Sequence, residues 1–230
     1  MSVVSPSFRA RVRSSIETPV ANVFGRLGLT PNALTLIGFG IALAAAVAAA
    51  GQAYIWAGLL VAFGAIFDLF DGALARATNK TSKFGAFMDS TFDRAGEAVV
   101  YAGIVYGTAV YGWWIASGLA AAAMAGSFMV SYTRAKSESL GFSSGTGMAN
   151  VGLAPREVRI AILAIGLVMA DLAGGVTSFA CIGCENSLAF GRIWIVGSLG
   201  LITVLATVTT IQRILFVYRQ SSSNNQEVTK

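Results

Sequence analysis

Long apolar runs separated by short polar connections make up most of the sequence after Thr30. Six of these runs approach the roughly 20 residues that a helix needs to cross the hydrocarbon core of a bilayer. They cover approximately residues 31–52, 54–78, 84–107, 113–138, 156–174 and 188–216. The pattern predicts an all-α integral membrane protein with six transmembrane helices. Four or eight spans are the alternatives.

The segment that precedes the first run has a different pattern. Within residues 1–30, apolar side chains recur every three or four positions among basic ones, as in a helix that lies in the membrane interface. These apolar residues are Phe8, Val12, Ile16, Val20 and Val23. A solvated basic tail is the alternative. The chain therefore divides into an N-terminal interfacial amphipathic segment (1–30), a membrane domain (31–219) and a polar tail (220–230) whose composition predicts disorder.

Composition and charge agree with a membrane protein. Of the 230 residues, 55% are hydrophobic and only 12% are charged, whereas soluble domains carry about 25% charged residues. Lysine and arginine cluster near both termini, between the second and third runs and between the fourth and fifth, while the opposite connections lack them. By the positive-inside rule, both termini lie on the cytoplasmic side of the cell membrane. The net charge of +5 is modest, and no nucleic-acid partner is expected.

Two residue types limit the chemistry. The chain contains no histidine, so acid–base and metal chemistry must depend on carboxylates. Its two cysteines, Cys181 and Cys184, form one C-x-x-C pair, which cannot complete a four-ligand zinc site without further Cys or His. A disulfide in an extracytoplasmic loop and two thiols without a role both remain open.

Four aspartates adjoin the apolar runs. Asp68 and Asp71 are three residues apart near the end of the second run, and Asp89 and Asp93 are four apart near the start of the third. Each pair lies on one face of its helix, so two facing helices would bring four carboxylates into one small volume. An unpaired carboxylate costs about 2.5–3.5 kcal/mol at mid-membrane, and less near the interface.

Divalent cations would remove the repulsion among these carboxylates. Ligands that are all oxygen favour magnesium or manganese over zinc, and two such ions suit phosphoryl transfer because they stabilise both the attacking and the leaving oxygen. Gly85, one turn before Asp89 on the same face, would allow close approach of a backbone or a ligand. The alternative is that the acids pair with nearby cations, namely Arg76, Lys80, Lys83 and Arg94.

The acids belong to a longer motif, D-x2-D-G-x2-A-R-x8-G-x3-D-x3-D. Its fixed positions are Asp68, Asp71, Gly72, Ala75, Arg76, Gly85, Asp89 and Asp93. This motif resembles the signature of the CDP-alcohol phosphotransferases. The resemblance implies a homodimeric six-span enzyme that binds two Mg²⁺ ions, or Mn²⁺ in their place, at the cytoplasmic membrane surface. It also implies a CDP-lipid donor, taken from the bilayer, and release of CMP.

The resemblance further implies residue roles. Asp68, Asp71 and Asp89 would bind metal, and Asp93 would deprotonate the acceptor hydroxyl and also contact the second metal. The absence of histidine agrees with a carboxylate base. Thr30 is expected to cap the first span, whose start would then offer N–H groups to a phosphate. The nucleotide contacts that the family implies are Pro31, Asn32, Ala33, Leu34, Gly72, Arg76 and Ser82.

Four cations flank the connection between the fourth and fifth spans. They are Arg134 and Lys136 in "SYTRAKSESLG" and Arg156 and Arg159 in "APREVR". So much positive charge near one cavity favours a phosphorylated polar alcohol as acceptor. The alternative is that these cations only set topology.

This layout resembles prokaryotic phosphatidylinositol phosphate synthases and archaeal archaetidylinositol phosphate synthases, which have a similar "SY-x-[KR]-A-[KR]-x-E-x-x-G" and a later Arg-x-x-Arg. The resemblance implies transfer of a phosphatidyl or archaetidyl group to inositol 1-phosphate. Glycerol 3-phosphate is the alternative acceptor. A cation transporter is an alternative of another class, but it would place its ionisable groups near mid-membrane. A non-catalytic membrane scaffold would give no reason for four acids in register.

Overall fold

The computed structural model describes residues 29–77, 81–142, 151–173 and 190–228. These residues form six helices and no strand. The helices are α1 (Pro31–Ala50), α2 (Tyr54–Ala77), α3 (Lys83–Val110), α4 (Trp114–Ser139), α5 (Arg156–Leu172) and α6 (Phe190–Val228). The interfacial helix predicted within residues 1–30 and the C-x-x-C pair lie outside the described residues.

Polar side chains fix where two of the helices begin. The Thr30 hydroxyl accepts a hydrogen bond from the Ala33 N–H at 3.2 Å, and Pro31 occupies the first turn of α1. Ser82 caps α3 in the same way, because its hydroxyl accepts from the Gly85 N–H at 2.9 Å. These caps satisfy N–H groups that have no partner within a helix. The prediction that Thr30 caps the first span is confirmed.

The helices form a closed ring in which each has two main neighbours, in the order α1–α2–α5–α6–α4–α3. Small residues allow the close approaches. A Cβ at Gly103 of α3 would collide with the Ala46 backbone of α1, and one at Gly58 of α2 would lie 2.7 Å from the Ala164 oxygen of α5. Such contacts between small residues are typical of helices that pack within membranes.

Large apolar side chains lie mainly on the outside of this ring. Trp56, Phe63, Trp114 and Val204 are all at least half exposed, whereas the interior is rich in alanine. A soluble protein would bury such side chains, so a lipid environment accounts for the arrangement.

Four helical stretches are long and apolar enough to cross a membrane: Pro31–Ala50, Tyr54–Arg76, Trp114–Ser139 and Phe190–Ser222. The other two helices differ for identifiable reasons. α5 has only 17 residues, and the part of α3 that ends at Glu97 carries charged residues, which include Asp89 and Asp93. The all-α fold and the helix positions are therefore confirmed, whereas the count of six spans stays a prediction.

The end of α6 differs from the sequence prediction. The helix continues to Val228, so most of the polar tail at 220–230 is helical. Composition predicts disorder there because the segment has little apolar surface to bury. Extending a long existing helix avoids the cost of nucleation, which explains how a polar segment remains helical.

Candidate active site

Two of the four predicted metal ligands meet at one guanidinium. Arg156, the first residue of α5, donates to Asp68 Oδ2 through Nη2 at 2.7 Å. Its Nη1 lies 3.0 Å from Asp93 Oδ2. Asp68 is on α2 and Asp93 on α3, so one cation joins the acidic faces of two helices, as the motif spacing predicts for facing helices. The three side chains are between 16% and 24% exposed, which leaves the cluster accessible.

The cluster opens into a cleft between α1, α2, α3 and α5. Gly38 of α1 makes room at the acidic end, because a Cβ there would lie 3.3 Å from Asp68 Oδ1. Away from the acids the wall is apolar, and it includes Phe39, Leu60, Val61, Phe92 and Leu163. A charged end and an apolar wall thus share one cavity.

A second pocket adjoins the starts of α1 and α3. It brings together several of the predicted nucleotide contacts, Pro31, Asn32, Arg76 and Ser82, with the predicted metal ligand Asp89. A Cβ at Gly85 would lie 3.4 Å from Asn32 Oδ1, so this glycine does allow close approach between α1 and α3. The pocket combines one guanidinium, one carboxylate and small polar groups.

The remaining predicted nucleotide contacts are placed differently. The Ala33 N–H already donates to Thr30, and Leu34 is only 1% exposed, packed with Ala73 and Leu74. Neither side chain lines the pocket. The surroundings of Gly72 and Asp71 lie outside the described part of the structure. Their assignments remain predictions.

The four cations predicted to bind the acceptor phosphate lie in three different environments. Arg156 joins the acidic cluster. Arg134 and Lys136 are exposed near the end of α4, where Arg134 pairs with Glu138 at 2.9 Å. Arg159 is only 1% exposed, and its guanidinium bonds twice to Glu97, at 3.2 and 3.1 Å, and once to the Ala154 carbonyl at 3.0 Å. The contacts of Arg159 favour a structural role, and its binding of an acceptor stays a prediction.

Sequence reasoning missed Glu97. It lies one turn beyond Asp93 on the same face of α3, as Arg159 lies one turn beyond Arg156 on α5. Two successive ion pairs therefore connect α3 and α5. The matching spacings, D-x3-E and R-x2-R, are the sequence signal that could have identified the second pair.

The residues present fit divalent cations. Within the described residues, no three acidic side chains are arranged to hold a metal ion, but the side chain of Asp71 is not among them. Asp68 and Asp93 nevertheless converge on a shared positive charge, that of Arg156. Their ligand atoms are all oxygens, which suit magnesium or manganese. Asp68, Asp71, Asp89 and Asp93 are the residues that would hold such ions.

Known sequences are similar to this chain over most of its length. The CDP-alcohol phosphatidyltransferase family matches residues 28–212. An archaetidylinositol phosphate synthase from Pyrococcus horikoshii is 42% identical over 159 residues, which cover 68% of this chain and 80% of that protein. A phosphatidylinositol phosphate synthase from Mycobacteroides abscessus is 34% identical over 158 residues, 67% of this chain and 69% of that one.

Solved structures agree as well. The phosphatidylinositol phosphate synthase of Mycobacterium tuberculosis in complex with manganese and citrate superposes with a TM-score of 0.73 at 25% identity, covering 88% of this chain and 89% of that one. The same enzyme with CDP-DAG bound gives a TM-score of 0.72 at 25% identity, with 89% and 94% covered. With the acidic motif, the fold and the family match together, the chain belongs to the CDP-alcohol phosphatidyltransferases, the transferases of phospholipid biosynthesis.

Proposed function

We propose that this enzyme transfers a phosphatidyl or archaetidyl group from a CDP-lipid to inositol 1-phosphate and releases CMP. The single observation that carries the acceptor assignment is the position of Arg156, whose guanidinium lies 2.7 Å from Asp68 and 3.0 Å from Asp93. A phosphate bound by Arg156 would hold the rest of the acceptor beside the proposed base. The names of the two sequence relatives support the same choice.

The reaction is a displacement at phosphorus. The acceptor hydroxyl gives its proton to the Asp93 carboxylate, and its oxygen forms a bond to the lipid-proximal phosphorus of the donor. The bond from that phosphorus to the bridging oxygen breaks, and CMP leaves with the electron pair. In a chain without histidine, a carboxylate within reach of the hydroxyl is the available base.

Two divalent cations held by the four aspartates would neutralise charge on the pyrophosphate and on the departing CMP. In this proposal the second pocket holds the nucleotide. Arg76 is the guanidinium suited to the pyrophosphate, and Asn32 and Ser82 offer groups for the rest of the nucleotide. The apolar wall of the cleft beside Asp68 and Asp93 suits the lipid part of the donor, which enters from the bilayer.

The test is a panel of acceptors with purified enzyme in detergent. CMP release and labelled lipid product are measured with CDP-diacylglycerol or its ether-linked analogue, and with inositol 1-phosphate, free inositol or glycerol 3-phosphate as acceptor. Product is expected only with inositol 1-phosphate. If product formed with glycerol 3-phosphate instead, glycerol 3-phosphate would be the acceptor and the assignment of inositol 1-phosphate would be wrong. If none of the three acceptors gave CMP release, the proposed transfer and its alternative acceptor would both be refuted.

We also propose six spans, both termini and the site on the cytoplasmic side, and a homodimer. The lysine and arginine distribution supports the orientation. For the test, both natural cysteines are changed to Ser, and single thiols are introduced as Tyr111→Cys and Ser222→Cys, both at exposed positions. An impermeant thiol reagent added to intact cells should label only the first. Light scattering of the detergent-solubilised enzyme measures the oligomeric state.

A further inference from the structure

The segment that leads into α5 is held by α6 rather than by a cap of its own. Pro155 occupies the cap position of α5 and provides no side-chain hydrogen bond. The Thr209 hydroxyl of α6 instead accepts from two successive backbone N–H groups, those of Leu153 at 3.2 Å and Ala154 at 3.0 Å. Thr209 and Ala154 are both 0% exposed, so water cannot replace this acceptor.

The shape of the segment matches the threonine. Gly152 has a φ of +118°, a conformation that side chains rarely adopt, and a Cβ there would collide with Thr209 Cγ2. One turn further along α6, Arg213 Nε donates to the Val151 carbonyl at 3.0 Å. From the other side, Arg159 donates to the Ala154 carbonyl at 3.0 Å. The turn at residues 151–155 is therefore held from both α5 and α6.

Arg156 follows this turn directly. Its guanidinium has to reach Asp68 and Asp93 at once, at 2.7 and 3.0 Å, and a shift of the α5 start would separate it from one of them. We infer that Thr209 is a positioning residue for the transfer reaction: by holding the Leu153 and Ala154 N–H groups, it sets the place of Arg156 in the active site. This inference deepens the proposed function and rests on its assignment of Arg156 to the acceptor phosphate.

The test compares substitutions on one helix. Thr209→Val keeps the side-chain shape and removes the acceptor, whereas Thr209→Ser keeps the acceptor and removes the methyl group. Thr207→Val is the matched control, because the exposed Thr207 hydroxyl bonds to the Thr203 carbonyl within α6. Each variant is measured for folding, by thermal midpoint and gel filtration, and for the KM of inositol 1-phosphate and of the CDP-lipid.

For Thr209→Val, the KM of inositol 1-phosphate should rise about tenfold, the equivalent of one hydrogen bond lost between Arg156 and the acceptor phosphate. The KM of the CDP-lipid should rise less, since the nucleotide part of this substrate lies in a pocket that does not involve α5 or α6. Thr209→Ser and Thr207→Val should both behave like wild type. If Thr209→Val is not recovered as folded protein, Gly152→Ala disturbs the same contact and should give the same change in KM.

A double-mutant cycle separates positioning from general packing. Adding Thr209→Val to Arg156→Gln should not raise the acceptor KM further, because the residue that Thr209 positions is already lost. Additive effects, equal rises in both KM values, or an unchanged acceptor KM in Thr209→Val would each overturn the inference. An unchanged acceptor KM in Arg156→Gln alone would instead show that the proposed acceptor assignment has failed.

Discussion

Two ion pairs one helical turn apart connect α3 and α5, and they differ in every respect except their spacing. The outer pair joins Asp93 to Arg156, which also binds Asp68, and its side chains are 16% and 23% exposed. The inner pair joins Glu97 to Arg159, with side chains 7% and 1% exposed. The guanidinium of the outer pair is shared between two carboxylates from different helices, whereas that of the inner pair binds both oxygens of one.

The outer pair has the features of a binding site, whereas the inner pair has those of a structural contact. In the inner pair the carboxylate receives two N–H groups, and the remaining Arg159 Nη1 is bonded to the Ala154 carbonyl. Such bonding offsets the cost of burying two charges, and Arg159 does not line the cleft, although Glu97 does. In the outer pair the groups reach a cleft, so a cation or a phosphate has access to them. The following experiments test this contrast.

Removal of metal should have the largest effect. Exhaustive chelation should abolish CMP release, and added magnesium or manganese should restore it. Asp68→Ala, Asp71→Ala and Asp89→Ala should each weaken manganese binding, measured by the EPR signal of free Mn²⁺, because each removes a proposed ligand. Glu97→Gln, in the inner pair, should bind manganese normally if it folds. Full activity after chelation would refute the two-metal mechanism.

The proposed base gives the next largest effect. Asp93→Asn should lower kcat about 10²- to 10⁴-fold, the range for loss of a general base. Binding of the CDP-lipid, measured by titration calorimetry, should persist because the nucleotide pocket is unchanged. The equivalent amide substitution in the inner pair, Glu97→Gln, should mainly affect stability and have little effect on kcat. Near-normal CMP release by Asp93→Asn would remove this residue as the base.

Breaking the inner pair should reduce stability. Arg159→Met leaves the Glu97 carboxylate buried without its cation, which costs about 3–5 kcal/mol in comparable pairs. The midpoint of thermal denaturation in detergent should therefore fall. The double variant Glu97→Gln, Arg159→Met should recover part of the loss, since no unpaired charge remains. A midpoint equal to wild type in Arg159→Met would contradict the structural role.

The sequence predicts the helices well because most of them are long apolar runs. Three- and four-residue spacings place the acids of α2, and those of α3, on one face of each helix, and Asp68 and Asp93 both reach Arg156. The sequence does not predict that α6 continues to Val228. Composition alone does not show that a long helix extends into a polar segment once it has formed.

The roles of the basic residues could not be separated from the sequence. Arg156 and Arg159 are the same residue type in one short motif, and only the position of α5 in the folded protein shows which one is buried. The contact between Thr209 and Ala154 joins positions 55 residues apart, through a glycine conformation that no local pattern indicates. The nucleotide contacts were predicted from the family motif, yet the burial of Leu34 depends on its neighbours on α2.

The smallest effects are expected for the cations predicted to bind the acceptor phosphate. The size of the effect on the acceptor KM should differ from one cation to another. Arg156→Gln should raise the KM of inositol 1-phosphate about ten- to a hundredfold, because hydrogen bonds to charged groups contribute roughly 1.5–3 kcal/mol. Arg134→Gln should raise it less, since Arg134 is exposed and paired within α4 to Glu138, and exposed pairs contribute about 0–1 kcal/mol. Lys136→Gln serves as the matched comparison on the same exposed end of α4.

The KM of the CDP-lipid should hardly change in any of these variants, because Arg76 and the proposed metal ions hold the other substrate. Steady-state kinetics with both substrates varied measures both KM values of each variant. If the cations only set topology, Arg156→Gln and Arg134→Gln would lower the yield of membrane-inserted protein and leave both KM values unaltered. That result would remove the support for a phosphorylated acceptor. A rise with Arg156→Gln alone would instead place the acceptor phosphate at the outer pair.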